Sequence, residues 1–378
     1  MIYEELNVSR ARRTMTATAQ LLRALHLDGP LLATLGLVVC FGLLVLYSAA
    51  GENVSLWTNQ IIRFGIAVVV MTLLAQVPPP WLRMITPWLY AAGVVLLVAV
   101  AVLGDIGKGA QRWLDLGIVR FQPSEMMKLA VPMACAWYAH ARPLPPSFRD
   151  LVVFLLIILV PAGLIAEQPD LGTALLVSAA GGLVVLFAGL QLRYLIGGAV
   201  LAGIAIPVGW HFLHDYQRQR VLTFLDPQTD PLGAGYHIIQ SQIAIGSGGV
   251  FGKGWMHGSQ AQLEFLPERT TDFIFAVVGE ELGLLGQCLL LAIYLVVIGR
   301  ALWMANQCRD TFSRLTAGAL AMTFFIYVFV NSGMVSGLLP VVGVPLPLFS
   351  YGGTSMVTLL AGFGILMSLY ANRKLVSS

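Results

Sequence analysis

The chain has 378 residues, of which 57% are apolar and 11% charged, and its mean hydropathy is +0.80. A water-soluble domain carries roughly a quarter charged residues, so the composition excludes one and indicates an integral membrane protein. The formal net charge of +3 gives no reason to expect nucleic acid as a partner.

About 20 apolar residues cross a bilayer core as a helix. Ten such segments begin near residues 31, 57, 84, 122, 151, 171, 194, 272, 312 and 350. No long dyad alternation favours a barrel, so the expected fold is an all-α polytopic membrane protein with ten transmembrane helices. An even number of crossings puts both termini on one side, and basic residues mark that side as cytoplasmic. Arg10, Arg12, Arg13, Arg23, Arg83, Arg142, Arg149, Arg193, Arg300, Arg309, Arg314, Arg373 and Lys374 then lie inside. Lys108, Arg112, Arg120, Arg218, Arg220, Lys253 and Arg269 lie outside, against the general rule. The expected organisation is a cytoplasmic N-terminal segment (1–30) with an interfacial helix, a single ten-helix membrane domain (31–372), and a short cytoplasmic tail (373–378). A large extracytoplasmic loop, 215–271, separates helices seven and eight. Cys40, Cys135, Cys288 and Cys308 form no close-spaced pair and read as packing residues.

The first three membrane segments carry little polar chemistry beyond Asn59, Gln60 and Arg63, and Arg63 is expected to snorkel or to pair within the bundle. Residues 109–129 form an outer loop that runs into the fourth helix, where Pro123 suits the first turn. Glu125 and Lys128 follow at i and i+3, on one face and close enough to pair. Such a pair inside a membrane is either a structural lock or a functional cluster, and both readings stand. Arg112, beside Trp113, suits an anion. At the turn 167–173, Asp170 reads as the cap of the sixth helix, while Glu167 stays open; the two carboxylates are also candidates for a cation or a substrate amide.

The loop 215–271 holds the polar run Tyr216-Gln217-Arg218-Gln219-Arg220, and its aromatic and aliphatic content predicts ordered short helices on the outer leaflet. Gly246-Ser247-Gly248-Gly249 reads as a flexible loop, since it lacks the strand and Lys-Ser/Thr of a phosphate-binding turn. The loop ends in Glu268-Arg269-Thr270-Thr271-Asp272 against an apolar helix beginning at Phe273, which puts an acid where water meets lipid. Further on come Asn331, a Pro- and Gly-studded apolar stretch (338–347), and Ser350-Tyr351-Gly352-Gly353-Thr354. Irregular backbone at membrane depth is tolerated where it is buried in protein or lines a cavity. Ser350 and Thr354 read either as ordinary caps or, in view of the irregular stretch before them, as part of a glycine-exposed helix start that suits an anion.

With this topology Arg112, Glu125, Lys128, Glu167, Asp170, Arg218, Arg220, Lys253, Arg269, Asp272, Asn331 and Ser350 all fall near the outer face. A cationic cavity there, open to lipid, suits an anionic head on a lipid tail, such as a diphosphate on a polyprenyl carrier.

Five stretches in order carry a resemblance: G-A-Q-R-W-L…F-Q-P-S-E-M-M-K-L-A, E-Q-P-D-L-G-T, D-P-L-G-A-G-Y-H-I-I-Q-S-Q-I-A-I-G-S-G-G, F-L-P-E-R-T-T-D-F-I-F-A and V-G-V-P-L-P-L-F-S-Y-G-G-T-S. From about Gly109 to Arg373 the chain resembles the SEDS (shape, elongation, division, sporulation) family of peptidoglycan glycosyltransferases. It is similar to the elongation branch in particular, through L-L-P-V-V-G-V-P-L-P. The resemblance implies a polymerase of lipid II at the outer face of the cytoplasmic (inner) membrane, acting in elongation and rod shape. It also implies a class B penicillin-binding protein and other elongation-machinery proteins as partners. By the same resemblance Asp272 matches the acid needed for polymerisation, with Arg112, Glu125, Lys128, Glu167, Asp170, Gln217, Arg218, Arg220, Lys253, Arg269, Asn331, Ser350 and Tyr351 as candidate substrate contacts. A divalent cation (Mg or Mn) held through Asp170 or Glu167 is left open, and no organic cofactor is expected. From the residues alone, Asp272 reads first as a cap of the eighth helix, and the resemblance is what puts the catalytic role ahead. Two further readings remain from the sequence: a transporter that flips the same lipid, and a non-catalytic scaffold for the cross-linking enzyme.

Overall fold

The computed structural model describes residues 17–103, 105–107, 110–115, 120–210, 218, 222, 223, 226 and 233–372. Among the described residues a helix stands near each predicted position: α2 (Gly29–Ala49), α3 (Val54–Ala75), α4 (Pro79–Leu103), α5 (Pro123–His140), α6 (Phe148–Glu167), α7 (Leu171–Phe187), α8 (Leu192–Trp210), α11 (Ile274–Asn306), α12 (Thr311–Val335) and α13 (Thr354–Ala371). Seven of them, α2, α3, α4, α6, α11, α12 and α13, are long and apolar enough to cross a membrane. Shorter helices are α1 (Ala17–Ala24), α9 (Ala234–Gly248) and α10 (Ser259–Gln262). α1 is the described part of the expected interfacial helix.

Local chemistry sets where these helices start. Asp28, Asn53, Asp170 and Asp310 each accept a first-turn N–H through the side chain, and Ser147 with Asp150 forms a capping box. Asp28 also receives Arg300 in a two-pronged ion pair, Nη2 to Oδ2 at 2.7 Å and Nε to Oδ1 at 3.0 Å, which ties the start of α2 to α11.

Burial is arranged for lipid. In the most apolar windows of α12 and α13, 67% and 61% of residues are buried, against 22% in α4, so the first two helices are central and α4 is peripheral. Trp88 on α4 and Leu201 on α8 are large apolar side chains left outside the protein core. α13 lies against α3 so closely that a Cβ on Gly364 would stand 2.3 Å from the carbonyl oxygen of Met71.

Three local features depart from the sequence expectation. The described residues after α4 are not a plain loop in an all-helical chain: β1 (Asp105–Gly107), β2 (Ala110–Asp115) and β3 (Arg120–Phe121) form a small antiparallel sheet in that order. Such pairing satisfies backbone polar groups locally. The 33 residues of α11 would run about 50 Å as one rod, well beyond a hydrocarbon core of about 30 Å, and the helix is broken at Gly283 (φ +67°).

The third departure is the glycine run, which is not a flexible loop. Segment 249–254 docks into the break in α11 and completes its backbone hydrogen bonds. Leu284 and Leu285 N–H donate to the carbonyls of Gly249 and Val250 at 3.0 and 3.2 Å. Lys253 and Gly254 N–H donate to those of Glu280 and Glu281 at 3.0 and 2.9 Å. Backbone meets backbone here, so a Cβ on Gly248 or Gly252 would stand 2.0 or 2.1 Å from a carbonyl oxygen.

Candidate active site

Asp272 lies at the end of the loop that precedes α11. The N-cap residue of α11 is Phe273, and it makes no side-chain cap bond. Three consecutive carbonyls hold this turn in place. Tyr351 N–H donates to Thr270 O at 2.7 Å, Ser350 Oγ to Thr271 O at 2.6 Å, and Asn331 Nδ2 to Asp272 O at 2.8 Å. The same Asn331 nitrogen reaches Val344 O at 2.7 Å, and Leu346 N–H donates to Ser350 Oγ at 2.8 Å.

The residues that hold Asp272 therefore come from α12 and from the irregular stretch 338–353, which contains no helix or strand, as expected from its prolines and glycines. Gly343 (φ +75°) brings that stretch alongside the acid: a Cβ there would stand 3.6 Å from Asp272 Oδ2. Gln60 braces the other side, donating to Ser350 O at 3.1 Å and accepting from Gly352 N–H at 3.3 Å. Arg63 stacks over the Tyr351 ring at 4.6 Å, with its side chain against Gly353 at the start of α13.

The same stretch joins this turn to α7. A Cβ on Gly172 would stand 2.7 Å from Val342 O. One residue before α7, Asp170 caps it, accepting from Thr173 N–H at 3.2 Å, as the sequence suggests. Its other oxygen accepts from Gln122 Nε2 at 3.2 Å and lies 3.9 Å from Arg112 Nη1. Arg112 donates from Nε to Gln168 O at 3.1 Å and from Nη2 to Pro169 O.

Glu125 and Lys128 are both buried and pair at 2.7 Å, with Lys128 Nζ also 5.2 Å from the ring centroid of Tyr327 on α12. Asn331 stands one turn beyond Tyr327 on the same helix face. Glu125 Oε2, Ser124 Oγ and Asn331 Oδ1 are buried without a protein partner. Buried polar atoms of this kind call for water or a ligand.

Lys253 and Arg269, also predicted contacts, have partners of their own. Lys253 pairs at 2.7 Å with the fully buried Glu280, which also accepts N–H donations from Gln260 and Ala261. Arg269 spans Ala49 O and Ala261 O, both at 2.7 Å, and Glu264 at 2.9 Å. Both basic residues tie the outer loop to the bundle. Glu167 is exposed at the end of α6, and Arg218 is partly buried. Gln217 and Arg220 lie outside the described residues.

Gln60 and Arg63 were not singled out for the site from sequence. Their signal was there, an amide and an arginine one turn apart in an apolar helix, but their partner, the 350–353 turn, is nearly 300 residues away.

The sequence leaves a divalent cation open at Asp170 or Glu167. Among the described residues no three His, Cys, Asp or Glu side chains gather as a metal site. Asp170 already accepts on both oxygens and faces a guanidinium, so this donor set does not fit a divalent cation by itself.

The family model FTSW_RODA_SPOVE, described as cell cycle protein, matches residues 23–375. The chain belongs to the FtsW/RodA/SpoVE family. The peptidoglycan glycosyltransferase MrdB of Escherichia coli (strain K12) is 53% identical over 353 residues, covering 93% of this chain and 95% of that one. Among solved structures, a chain from a peptidoglycan synthase complex that coordinates polymerization and crosslinking superposes with a TM-score of 0.82 at 34% identity, covering 92% of this chain and 98% of its own length. The Thermus thermophilus rod shape determining protein RodA gives a TM-score of 0.70 at 31% identity, covering 92% and 97%. The chain is thus a mostly helical, multi-pass membrane protein of this family.

Proposed function

We propose that the chain is a peptidoglycan glycosyltransferase that joins lipid II disaccharides into glycan strands, with Asp272 as its general base. The observation that carries the assignment of the base is the hold on three successive carbonyls, Thr270, Thr271 and Asp272, by Tyr351, Ser350 and Asn331. A base held this firmly needs little reorganisation to meet its proton.

Joining an α-linked diphosphate donor with formation of a β-linkage requires inversion, and a single displacement supplies it. Asp272 accepts the proton of the acceptor's 4-hydroxyl as that oxygen bonds to the donor's anomeric carbon and the bond to diphosphate breaks. The leaving undecaprenyl diphosphate needs positive charge. Arg63 above Tyr351 and the start of α13 at Gly353–Thr354 offer it beside the clamped turn. Arg218, with Gln217 and Arg220, is assigned to the same diphosphate from the outer loop. The buried pair Glu125–Lys128, with its unpartnered carboxylate oxygen, is assigned to the sugar side of the substrate, and Arg112 with Asp170 fixes the start of α7.

The topology that serves this reaction has all ten long helices crossing the inner membrane, both termini in the cytoplasm, and Asp272 facing outward with loop 215–271. A class B penicillin-binding protein cross-links the product, in keeping with the complex to which the chain is similar, and both act with the rod-shape elongation machinery. Purified protein with its partner and labelled lipid II is expected to give a ladder of glycan that a muramidase collapses to disaccharide. A disaccharide–lipid pool left unchanged contradicts the assignment.

A further inference from the structure

At the end of the bundle opposite Asp272, helices α4, α5, α12 and α13 enclose a cavity of about 340 Å³, within the about 300–1,000 Å³ range of small-ligand sites. The two sites are far apart. Phe312 in the cavity and Asn331 at Asp272 are separated by most of α12, about 28 Å at 1.5 Å per residue.

The cavity is amphiphilic. Phe312 and Leu369, each 1% exposed, form its apolar wall. Arg83 and Arg309 supply two cations, and α4 and α12 both begin here, so their N-terminal ends add positive potential. One carboxylate is present, that of Asp310, and its Oδ1 accepts from Ser313 N–H at 3.0 Å.

His140 makes the stronger point. Arg83 Nη1 lies 2.6 Å from His140 Nε2. A guanidinium has no acceptor, so it donates, Nε2 accepts, and the neutral ring carries its proton on Nδ1. That Nδ1 is buried and has no partner in the protein. A buried N–H donor on a ring that lines a cavity together with two arginines calls for an acceptor, and an anion is the acceptor that also answers the charge.

We propose that this cavity binds a phosphate group, held by Arg83, Arg309 and His140 Nδ1–H, with Phe312 and Leu369 receiving the apolar part of the molecule that bears it. Basic pockets between membrane helices on the cytoplasmic side take anionic lipid headgroups. The cavity lies on that side in the topology proposed above; the binding chemistry does not depend on that topology.

The test is native mass spectrometry of the full-length protein in neutral detergent, with phosphatidylglycerol, cardiolipin, phosphatidylcholine or inorganic phosphate added in turn. Two variants accompany it, Arg83→Gln and Arg309→Gln; the second changes an exposed side chain, so its fold is expected to be unaffected. Anionic lipid is expected to stay bound to the wild type and to fall about fivefold in each variant, the equivalent of about 1 kcal/mol per arginine. Inorganic phosphate that binds with the same arginine dependence, without lipid binding, supports the site and identifies a soluble phosphate as its source. Equal retention of phosphatidylcholine, or unchanged anionic-lipid binding in both variants, overturns it. None of these readings uses polymerisation, so they stand apart from the fate of Asp272.

Discussion

Asn331 donates through a single amide nitrogen to the carbonyl of Asp272 at 2.8 Å and to that of Val344 at 2.7 Å, and is itself fully buried. One side chain on α12 thereby fixes the acid relative to the irregular stretch beside it. Asn331→Leu leaves two carbonyls without their donor and is expected to cost about 1–3 kcal/mol of stability. Displacement of the base should lower polymerisation by about 10²-fold. Thermal unfolding in detergent and a lipid II polymerisation gel measure the two effects separately; full activity would sink the positioning role.

Arg269 predicts a different phenotype. Its guanidinium is committed to Ala49 O, Ala261 O and Glu264, so its replacement should loosen the loop. Arg269→Lys cannot reproduce that planar fork and is expected to destabilise by about 1–3 kcal/mol. Lipid II affinity of the folded fraction should be unchanged; a fall in affinity with unchanged stability would instead make Arg269 a ligand.

Glycines in and beside the glycine run should differ sharply on substitution. Gly252→Ala adds a Cβ 2.1 Å from Glu281 O at a residue with φ +80° and is expected to cost about 1–3 kcal/mol. Gly246→Ala meets nothing within 4 Å inside α9 and should be neutral or stabilising by up to about 1 kcal/mol. Unfolding midpoints decide it, and equal tolerance at both positions would contradict the docked segment.

Lys128→Met strands the Glu125 carboxylate in a buried site and is expected to destabilise by about 3–5 kcal/mol. Adding Glu125→Gln removes the stranded charge and should restore most of that loss. The double variant is expected to fold yet polymerise poorly, since the pair is assigned to substrate. A double variant as active as the wild type would reduce the pair to a structural brace.

How much of this was legible in the sequence follows the range of the interaction. Hydropathy runs and caps are local, so the mostly helical, membrane-spanning character of the chain and the capping role of Asp170 could be read directly. The Glu125–Lys128 pair follows from helix periodicity alone. The break at Gly283 could not be read this way, because Gly279 and Gly286 beside it stay helical and the segment that fills the break lies some 30 residues earlier. The pairing of Lys253 with the buried Glu280 could not be read, because Glu280 sits in what reads as a membrane helix. The hold on Asp272 joins residues 59 and 79 apart, which periodicity does not report.

The most direct measurement compares wild type with Asp272→Asn, which keeps the shape of the side chain and removes the base. Both proteins, equally monodisperse in liposomes with the cross-linking partner, are given labelled lipid II, and the products are run on a gel. Polymer from the wild type and none from the variant is the predicted result. Polymer from both would show that Asp272 is not the base. If neither makes polymer while lipid II crosses the membrane, the chain is a transporter and the proposed chemistry is wrong.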